Sequence, residues 1–450
     1  MNTLYIKAGI IAALICLQML AALSAWSFLN STQAGGDIPR GVKINDVPVG
    51  GLTGEQARRL LQEKFAGNLE ETLVIHAAGE SVSLRPVDIG ANFGYAGAVG
   101  KALALGEPAG VLAGATRNLA LLAGMQNIPL PVQIHRSKLA GELKTLQGRV
   151  NTQPRPATIL WQQNRRAVFP EEYGRKLDID ATLDKVTALR PPLPSRIDAV
   201  TVPEPARVTA KDLEPLKNIL GECATGLDPA LENRTANIAL AVNSLNNTLV
   251  KPGAIFSFNE RVGERSLGNG YSSAPVIDGN RTAEDLGGGI CQVSSTLYHA
   301  LLTANLEIVE RHPHTKTVGY ISPGLDATVV DGQKDLRFRN SRGHPVFITG
   351  LLEGGHVKIQ LWGVMSDNEP RIEIETRIEP LNPKTIIHKN DNMPLGKQTV
   401  LSEGERGYVA GVYQVIRGTY GETKKLVTRD YYAPENRVII VGTGGASSPK

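Results

Sequence analysis

The chain has 450 residues, enough for roughly three domains, and its 42% hydrophobic and 20% charged residues are typical of a globular protein. Its 48 basic and 44 acidic residues leave a net charge of +4, which is too weak to predict nucleic-acid binding. This charge allows only a mild attraction to anionic polymers, and we expect no cofactor.

The first 29 residues predict a membrane anchor. No residue from 8 to 29 is charged, and the segment is long enough to cross a hydrocarbon core as a helix. The apolar run exceeds the core of an ordinary signal peptide, although the small residues Ala22 and Ser24 leave cleavage open. We predict a cytoplasmic tail over 1–7, a single-pass span of the cell membrane over 8–29, and an extracytoplasmic location for the rest of the chain.

Two stretches with the same internal pattern follow the anchor. In the first, Thr53 and Gln56 have capping-box spacing, and apolar residues follow at helical intervals. When the residues between Gly90 and Leu105 are aligned with those 84 positions later, glycine, apolar and lysine positions coincide without gaps. Alternation and turn residues predict hairpins over 72–84 and 158–169, with a helix over 137–150 leading the second copy.

This duplication predicts two α+β modules, one over 37–128 and one over 129–200, followed by a linker over 201–220. The pair resembles the peptidoglycan-binding repeats of wall-associated bacterial proteins, and the resemblance implies peptidoglycan or another cell-wall polymer as the partner. A spacer that lifts the next domain off the membrane is the alternative.

The most unusual run of the chain is 287–298, which begins with three consecutive glycines. Such glycines cost backbone entropy, so they predict unusual backbone angles or a close approach to another group. The spacing of Ile290, Val293 and Leu297 predicts a helix directly after them, which places Cys291 at a helix start. The unpaired amides and the dipole there lower the pKa of a thiol. Cys291 is therefore a candidate nucleophile; the alternative is a buried structural cysteine.

Histidine and aspartate residues follow Cys291 in the order found in papain-like and transglutaminase-like thiol enzymes, an analogy that also suggests the fold of this domain. His314 or His312 is the candidate general base, and Asp326 or Asp335 is the candidate group that orients it.

Three alternatives stay open at these positions. His299, two turns after Cys291, is another candidate base. His312 and His314 alternate on a predicted strand and could hold zinc with an aspartate, but further ligands are not evident and we predict no metal site. Cys223, the other cysteine outside the anchor, could form a disulfide with Cys291, which would then be no nucleophile.

Several motifs in a fixed order carry a resemblance to a known family. They are Asn237-Ile238, Lys251-Pro252-Gly253, Phe256 to Asn259, Gly270-Tyr271, Gly287 to Tyr298, Glu310-Arg311 with His314, Gly324 to Val329 and Asp335 to Asn340. Together they resemble the VanW family, named for a gene of vancomycin-resistance clusters, over 221–363. The resemblance implies association with peptidoglycan and leaves the biochemical activity open.

The last segment predicts an all-β module. Ile372, Ile374 and Ile378 alternate with polar or charged residues. The glycines between Gly404 and Gly442 resemble those of a G5 domain, an extended module of extracellular bacterial proteins, over 371–443. The resemblance implies binding of polymers that contain N-acetylglucosamine; a rigid spacer is the alternative.

The expected fold is therefore multidomain α+β with an all-β C-terminal domain, and two functions remain open. In the first, the central domain is a Cys-dependent amidase or transpeptidase that acts on stem peptides through a thioester, with Ser294 and Ser295 facing solvent or the reacting oxygen. In the second, the protein is a non-catalytic wall scaffold. Its binding cradle would consist of Gly287, Gly288, Gly289, Gln292, Ser294 and Ser295.

Overall fold

The structure is a computed structural model of the chain. It describes residues 9–19, 21–22, 37–107, 126–162, 165–278, 281–419 and 421–444. The chain divides into two compact units, Met1–Pro154 with Tyr173–Pro205 and Arg155–Glu172 with Ala206–Lys450.

Residues 9–19 are helical. The helices after them are α1 (Gly54–Phe65), α2 (Tyr95–Ala104), α3 (Arg136–Val150), α4 (Ile179–Thr187), α5 (Ala210–Leu213), α6 (Glu232–Leu245), α7 (Phe258–Val262) and α8 (Ile290–Thr303).

The strands of the first part of the chain are short. They are β1 (Val42–Ile44), β2 (Val47–Pro48), β3 (Leu73–Ala77), β4 (Glu80–Leu84), β5 (Asn92–Phe93), β6 (Gln126–Ile128), β7 (Val132–Gln133), β8 (Thr158–Gln162), β9 (Arg165–Phe169), β10 (Gly174–Leu177), β11 (Arg196–Asp198) and β12 (Thr201–Glu204).

The strands of the rest of the chain include both short and long ones. They are β13 (Asn218–Gly226), β14 (Thr248–Val250), β15 (Ile255–Ser257), β16 (Ser273–Asp278), β17 (Arg281–Leu286), β18 (Glu307–Glu310), β19 (Arg337–Arg339), β20 (Val346–Glu353), β21 (His356–Gly363), β22 (Arg371–Leu381), β23 (Thr385–Pro394), β24 (Gln398–Ser402), β25 (Gly407–Gly418), β26 (Gly421–Tyr432) and β27 (Arg437–Gly444).

The predicted membrane span is not supported by the structure. Among the described residues, no helix combines the length and the apolar character that a membrane crossing requires. Residues 8, 20 and 23–29 of the predicted span lie outside the described residues. The single-pass anchor therefore stays a prediction.

The first unit combines helices with several small sheets. β3 and β4 form the hairpin that the sequence predicts, and β11 pairs with β3 in parallel. β1 pairs with β2 antiparallel and with β6 in parallel. α1 begins at the predicted capping box of Thr53 and Gln56. Its Leu61 shares one core with Ile75 of β3 and Leu139 of α3.

The second predicted hairpin is also present, and it belongs to the second unit. β8 pairs with β9 from Thr158 to Gln162. Ile159 is buried with Phe347 and Trp362, and the Trp161 ring lies 5.9 Å from the Trp362 ring. The alternation of the strands is a local signal, whereas these packing partners lie about two hundred residues further along the chain.

The central part of the second unit is built on a four-stranded sheet in the order β13-β21-β20-β14. α8 packs against β13 and β21, and α6 packs against β20. The predicted helix after the glycine run is confirmed, and its Val293 and Leu297 are fully buried. In the sequence, the apolar stripe of residues 234–250 predicts a helix that continues to Val250. This prediction is wrong: α6 ends at Leu245, because Asn247 has a positive φ of 57° and the following residues join β20 as β14.

Residues 371–444 form two three-stranded sheets, in the orders β22-β25-β26 and β23-β27-β24. The all-β prediction for this segment is confirmed. The first sheet packs on the central part: Val412 of β25 belongs to the same core as Leu297 of α8.

Candidate active site

The glycine run is a place where backbone segments pass close to one another. Gly287 and Gly289 have φ of 78° and 108°, a region that favours glycine. A Cβ atom on Gly288 would lie 2.5 Å from the carbonyl oxygen of Ala274, and one on Gly289 would lie 2.9 Å from Ile238. The run therefore brings the start of α8 against α6 and β16, as its composition predicts.

Cys291 is the second residue of α8 and is partly exposed. The amides on either side of it bond to carbonyls of the glycine run: Ile290 N to Gly287 O at 3.2 Å and Gln292 N to Gly289 O at 3.0 Å. The Cys291 amide itself remains a first-turn donor of the helix. In its thiol form the sulfur can donate to the Val329 carbonyl oxygen, 3.6 Å away.

His314 and Asp326 lie behind the sulfur. His314 interacts electrostatically with Cys291, and His314 Nδ1 lies 2.6 Å from Asp326 Oδ2. Since Nδ1 bonds to the carboxylate, Nε2 is the ring nitrogen that remains available to the sulfur. The His314 backbone amide also donates to Asp326 Oδ2, at 2.7 Å. A thiol, an imidazole and a carboxylate in this order are the groups that acyl transfer by a thiol requires.

The electrostatics of the pair favour ionisation. Burial alone would raise the pKa of the Cys291 thiol, but the hydrogen bond and charge of His314, together with the charge of Arg265, bring that pKa below its ordinary value. Burial would lower the pKa of His314, but its bonds to Asp326 and Cys291 raise it to about 9. These interactions favour a thiolate beside an imidazolium, which is the reactive form of a cysteine–histidine pair.

Asp326 accepts two further hydrogen bonds besides those of His314. Arg311 Nη2 donates at 3.1 Å and the Tyr432 hydroxyl at 2.5 Å, both to Oδ1. The Arg311 guanidinium lies 5.1 Å from the centre of the Tyr298 ring. Burial would raise the pKa of Asp326, but the hydrogen bond from His314, the charges of Arg311 and His314, and the bond from Tyr432 lower it. The carboxylate is therefore ionised and oriented.

The other two predicted site residues have different partners. His312 Nε2 lies 3.0 Å from Glu310 Oε1. Asp335 accepts from the Ser257 hydroxyl at 2.5 Å and from a backbone amide at 3.0 Å. The structure thus brings His314 and Asp326 to the cysteine, and it places His312 and Asp335 in separate contacts. The two histidines also face different carboxylates, which gives no support to a shared zinc site.

His299 faces the second cysteine rather than Cys291. Its Nδ1 lies 3.2 Å from Cys223 Sγ. All three cysteines are free, so the disulfide between Cys223 and Cys291 is not formed in this structure. Burial raises the pKa of Cys223 to about 12 and lowers the pKa of His299. This pair is therefore a neutral thiol beside a neutral imidazole.

The polar residues that follow Cys291 are engaged inside the protein. Ser294 Oγ donates to the Ala327 carbonyl at 2.6 Å, and Ser295 Oγ accepts from the Ala327 amide at 2.9 Å. Gln292 donates to the Gly226 carbonyl at 2.7 Å. The expectation that the serines face solvent is wrong, since both are fully buried. Their bonds hold the segment after Asp326 against α8.

Sequence reasoning missed three contributors to the site. The Tyr320 hydroxyl is buried near Ser295, and within the described part of the chain it makes no hydrogen bond of good geometry. Tyr432 reaches Asp326 across 106 residues, with no spacing signal. Arg311 directly precedes His312 in the motif that resembles the VanW family. Of the three contributors, it is the one that a sequence signal could have indicated.

Comparisons with known proteins follow the same order of segments. The family model described as "VanW like protein" matches residues 233–362, the model described as "Putative peptidoglycan binding domain" matches 82–190, and the model described as "G5 domain" matches 372–444. The uncharacterised protein YoaR of Bacillus subtilis (strain 168) is 36% identical over 242 residues, which cover 52% of this chain and 78% of YoaR.

The chain belongs to the VanW-like family. The vancomycin B-type resistance protein VanW of Enterococcus faecalis (strain ATCC 700802 / V583) is 33% identical to this VanW-like chain over 123 residues, which cover 26% of the chain and 44% of that protein. The wall-binding and G5 models support a protein associated with the cell wall, with a wall polymer as partner.

Solved G5 structures also match this VanW-like chain. The IgA1 protease G5 domain structure is 23% identical with a TM-score of 0.15, and it covers 18% of this chain and 99% of its own. The HP0197-G5 crystal structure is 27% identical with a TM-score of 0.14, and the match covers 16% of this chain and 99% of that structure's chain. Because both scores are low, the G5 assignment rests on the family model and on the all-β segment.

Proposed function

We propose that the VanW-like domain is a thiol-dependent amidase or transpeptidase that acts on the stem peptides of peptidoglycan. The observation that carries the proposal is the series of Cys291, His314 and Asp326, in which Cys291 is a partly exposed residue and the two groups behind it are buried. Cys291 thus lies near the surface, where a substrate can reach the site, and the burial of the other two groups keeps base and carboxylate in one geometry.

The reaction begins when the Cys291 thiolate attacks the carbonyl carbon of a substrate amide and forms a carbon–sulfur bond. The His314 imidazolium gives its proton to the amide nitrogen as the carbon–nitrogen bond breaks, and a thioester and a free amine result. Asp326 keeps the Nδ1–H of His314 directed toward itself, so that Nε2 stays aimed at the reacting atoms.

The thioester is then resolved by water or by the amine of a second stem peptide. Neutral His314 takes a proton from the attacking group, and Cys291 leaves as a thiolate. Attack by water gives a carboxylate, which is the amidase outcome. Attack by an amine gives a new amide, which is the transpeptidase outcome.

The negative charge that develops on the carbonyl oxygen needs hydrogen-bond donors. We assign this role to the Cys291 amide, which lies in the first turn of α8, and to the Tyr320 hydroxyl. Burial, and after it the charge of Cys291, raises the pKa of Tyr320, so its hydroxyl stays protonated as a donor.

The wall as the place of action follows from the neighbouring domains. The wall-binding and G5 matches flank the VanW-like segment on both sides, which would hold the site near a wall polymer. An uncleaved anchor over 8–29 would keep these domains on the outer side of the cell membrane. The uncharged composition of that segment supports the anchor.

A non-catalytic wall scaffold is the second candidate. The same two domain matches favour it, because they account for wall binding without any bond cleavage.

Product analysis separates the two candidates. The full chain, purified in detergent, is incubated with sacculi and with soluble muropeptides, and the products are identified by mass spectrometry. Wild type is compared with Cys291→Ala and with Cys223→Ala, a matched control that removes the other half-buried thiol. The enzyme predicts new products with wild type and Cys223→Ala and none with Cys291→Ala. Binding to sacculi by all three proteins, with identical product profiles, would support the scaffold.

A further inference from the structure

Two polar side chains of the G5 segment are buried against the residues that hold His314. They are Asp430 and Tyr432 of β26, and their exposed fractions are 7% and 1%. Burial of polar groups in a neighbouring domain is costly unless each is paired. The partners of these two side chains therefore indicate what the contact is for.

Tyr432 bridges both ends of the short segment that carries the orienting carboxylate. Its hydroxyl donates to Asp326 Oδ1 at 2.5 Å and accepts from the Gly324 amide at 2.7 Å. Burial, and after it the charge of Asp326, raises the pKa of Tyr432, so the hydroxyl remains a donor. Tyr432 thus fixes the carboxylate that in turn fixes His314.

Asp430 acts on the same carboxylate through Arg311. Arg311 Nη1 lies 2.5 Å from Asp430 Oδ2, and its Nη2 lies 3.1 Å from Asp326 Oδ1. The Thr428 hydroxyl holds the other oxygen of Asp430 at 2.8 Å. Asp430 therefore shares the positive charge that would otherwise act on Asp326 alone.

The two sides meet in close contact around these bonds. Gly324 has a φ of 91°, and a Cβ there would lie 2.5 Å from Val412 of β25. Gln414 of the same strand donates to a carbonyl of α8 at 2.8 Å. Lys316, two residues after His314, lies 3.2 Å from Glu435. The loop that carries the base is thus held between α8 and the G5 strands.

We propose that the G5 domain is a structural part of the catalytic site, with Tyr432 and Asp430 as positioning residues that set the orientation and the charge of Asp326 and, through it, of His314. This inference rests on the proposed function for the reaction itself. A role as a spacer or polymer binder alone would not require these buried hydrogen bonds and ion pairs between the G5 strands and the residues around His314.

The charges around His314 give each substitution a definite sign. The groups that face it or its carboxylate are Cys291, Tyr320, Asp326, Arg311, Asp430 and Tyr432. Tyr432→Phe removes a donor from Asp326 and leaves a more basic carboxylate, which raises the pKa of His314. Asp430→Asn removes a negative charge beside Arg311, so the net positive charge near the imidazolium grows and the pKa of His314 falls.

Histidine-selective NMR on the full chain in detergent tests these signs without any turnover. The His314 resonance is assigned by its loss in His314→Gln and titrated in wild type, Tyr432→Phe, Asp430→Asn and Tyr431→Phe. Tyr431 is the matched control, because it is the neighbouring tyrosine and is 62% exposed. We expect shifts of about half a pH unit, upward for Tyr432→Phe and downward for Asp430→Asn, and none for Tyr431→Phe. Titrations of the first two variants that coincide with wild type would overturn the proposal.

Turnover provides the second arm. With an active wild type, Tyr432→Phe should lower kcat about tenfold and leave KM unchanged, whereas Tyr431→Phe should match wild type. An inactive wild type with the two opposite NMR shifts would refute the proposed function and retain the positioning contacts. An active wild type with unshifted His314 titrations and unchanged kcat would refute the role of the G5 domain alone.

Discussion

The two half-buried thiols provide an internal test of the site, because the structure predicts very different reactivities for them. At pH 7 a thiol with a pKa of about 12, that of Cys223, is ionised in about one molecule in 10⁵. Cys291, whose pKa lies below its ordinary 9.0, is ionised in at least about one molecule in 100. The ratio of thiolate populations is therefore about 10³ or more.

The lower pKa also makes the Cys291 thiolate a weaker nucleophile. A Brønsted coefficient of about 0.5 over a pKa difference of about three units lowers its intrinsic rate by roughly 30-fold. The predicted alkylation rate of Cys291 at pH 7 thus exceeds that of Cys223 by a factor of about 30 or more.

The assay is timed alkylation of the native protein with iodoacetamide, followed by peptide mass spectrometry that quantifies each cysteine separately. His314→Gln should slow the labelling of Cys291 strongly, because the thiolate loses its imidazolium partner. His299→Gln is the matched control and should leave the labelling of Cys291 unchanged. Equal labelling of both cysteines, or labelling of Cys291 only in denaturant, would refute the electrostatic argument.

Four further predictions concern the proposed enzyme and the glycine run. Asp326→Asn should lower kcat about 10³-fold or more with little change in KM, measured by muropeptide turnover. Because the leaving nitrogen takes its proton from His314, whose pKa is about 9, kcat should fall as the pH rises through about 9; a loss complete by pH 8 would contradict this assignment. Tyr320→Phe should lower kcat about 10²-fold at an unchanged melting temperature, and an unchanged kcat would remove this residue from the oxyanion site. Gly288→Ala should lower the free energy of unfolding by about 1–3 kcal/mol in urea titrations, whereas Gly226→Ala, with open space around it, should have little effect.

Local patterns predicted the elements that depend on neighbouring residues. The hairpin of β3 and β4, the helix over 290–303 and the alternating strands after Arg371 all follow from periodicity and turn residues. The end of α6 was missed because a single residue, Asn247, adopts a left-handed conformation and turns the chain into a strand. Composition does not specify such a break, since the apolar stripe continues through it.

The site was predictable only in part, for a similar reason. The position of Cys291 at a helix start is a local feature, and the sequence placed it there. The choice between His312 and His314 depends on which ring meets the carboxylate of Asp326, and this contact spans 12 residues of irregular chain. The bond from Tyr432 spans 106 residues and two domains, so no periodicity or motif in one segment could indicate it.

The contrast between the two cysteine–histidine pairs shows what a third partner contributes. Cys223 and His299 are as close as a hydrogen bond requires, yet burial acts on both toward their neutral forms. Burial acts in the same direction on the pair at Cys291. There, Asp326 stabilises the imidazolium, and the imidazolium stabilises the thiolate. We therefore expect the carboxylate behind the base to decide which cysteine reacts, and the bonds that hold Asp326 ionised are as direct a target for mutation as the thiol.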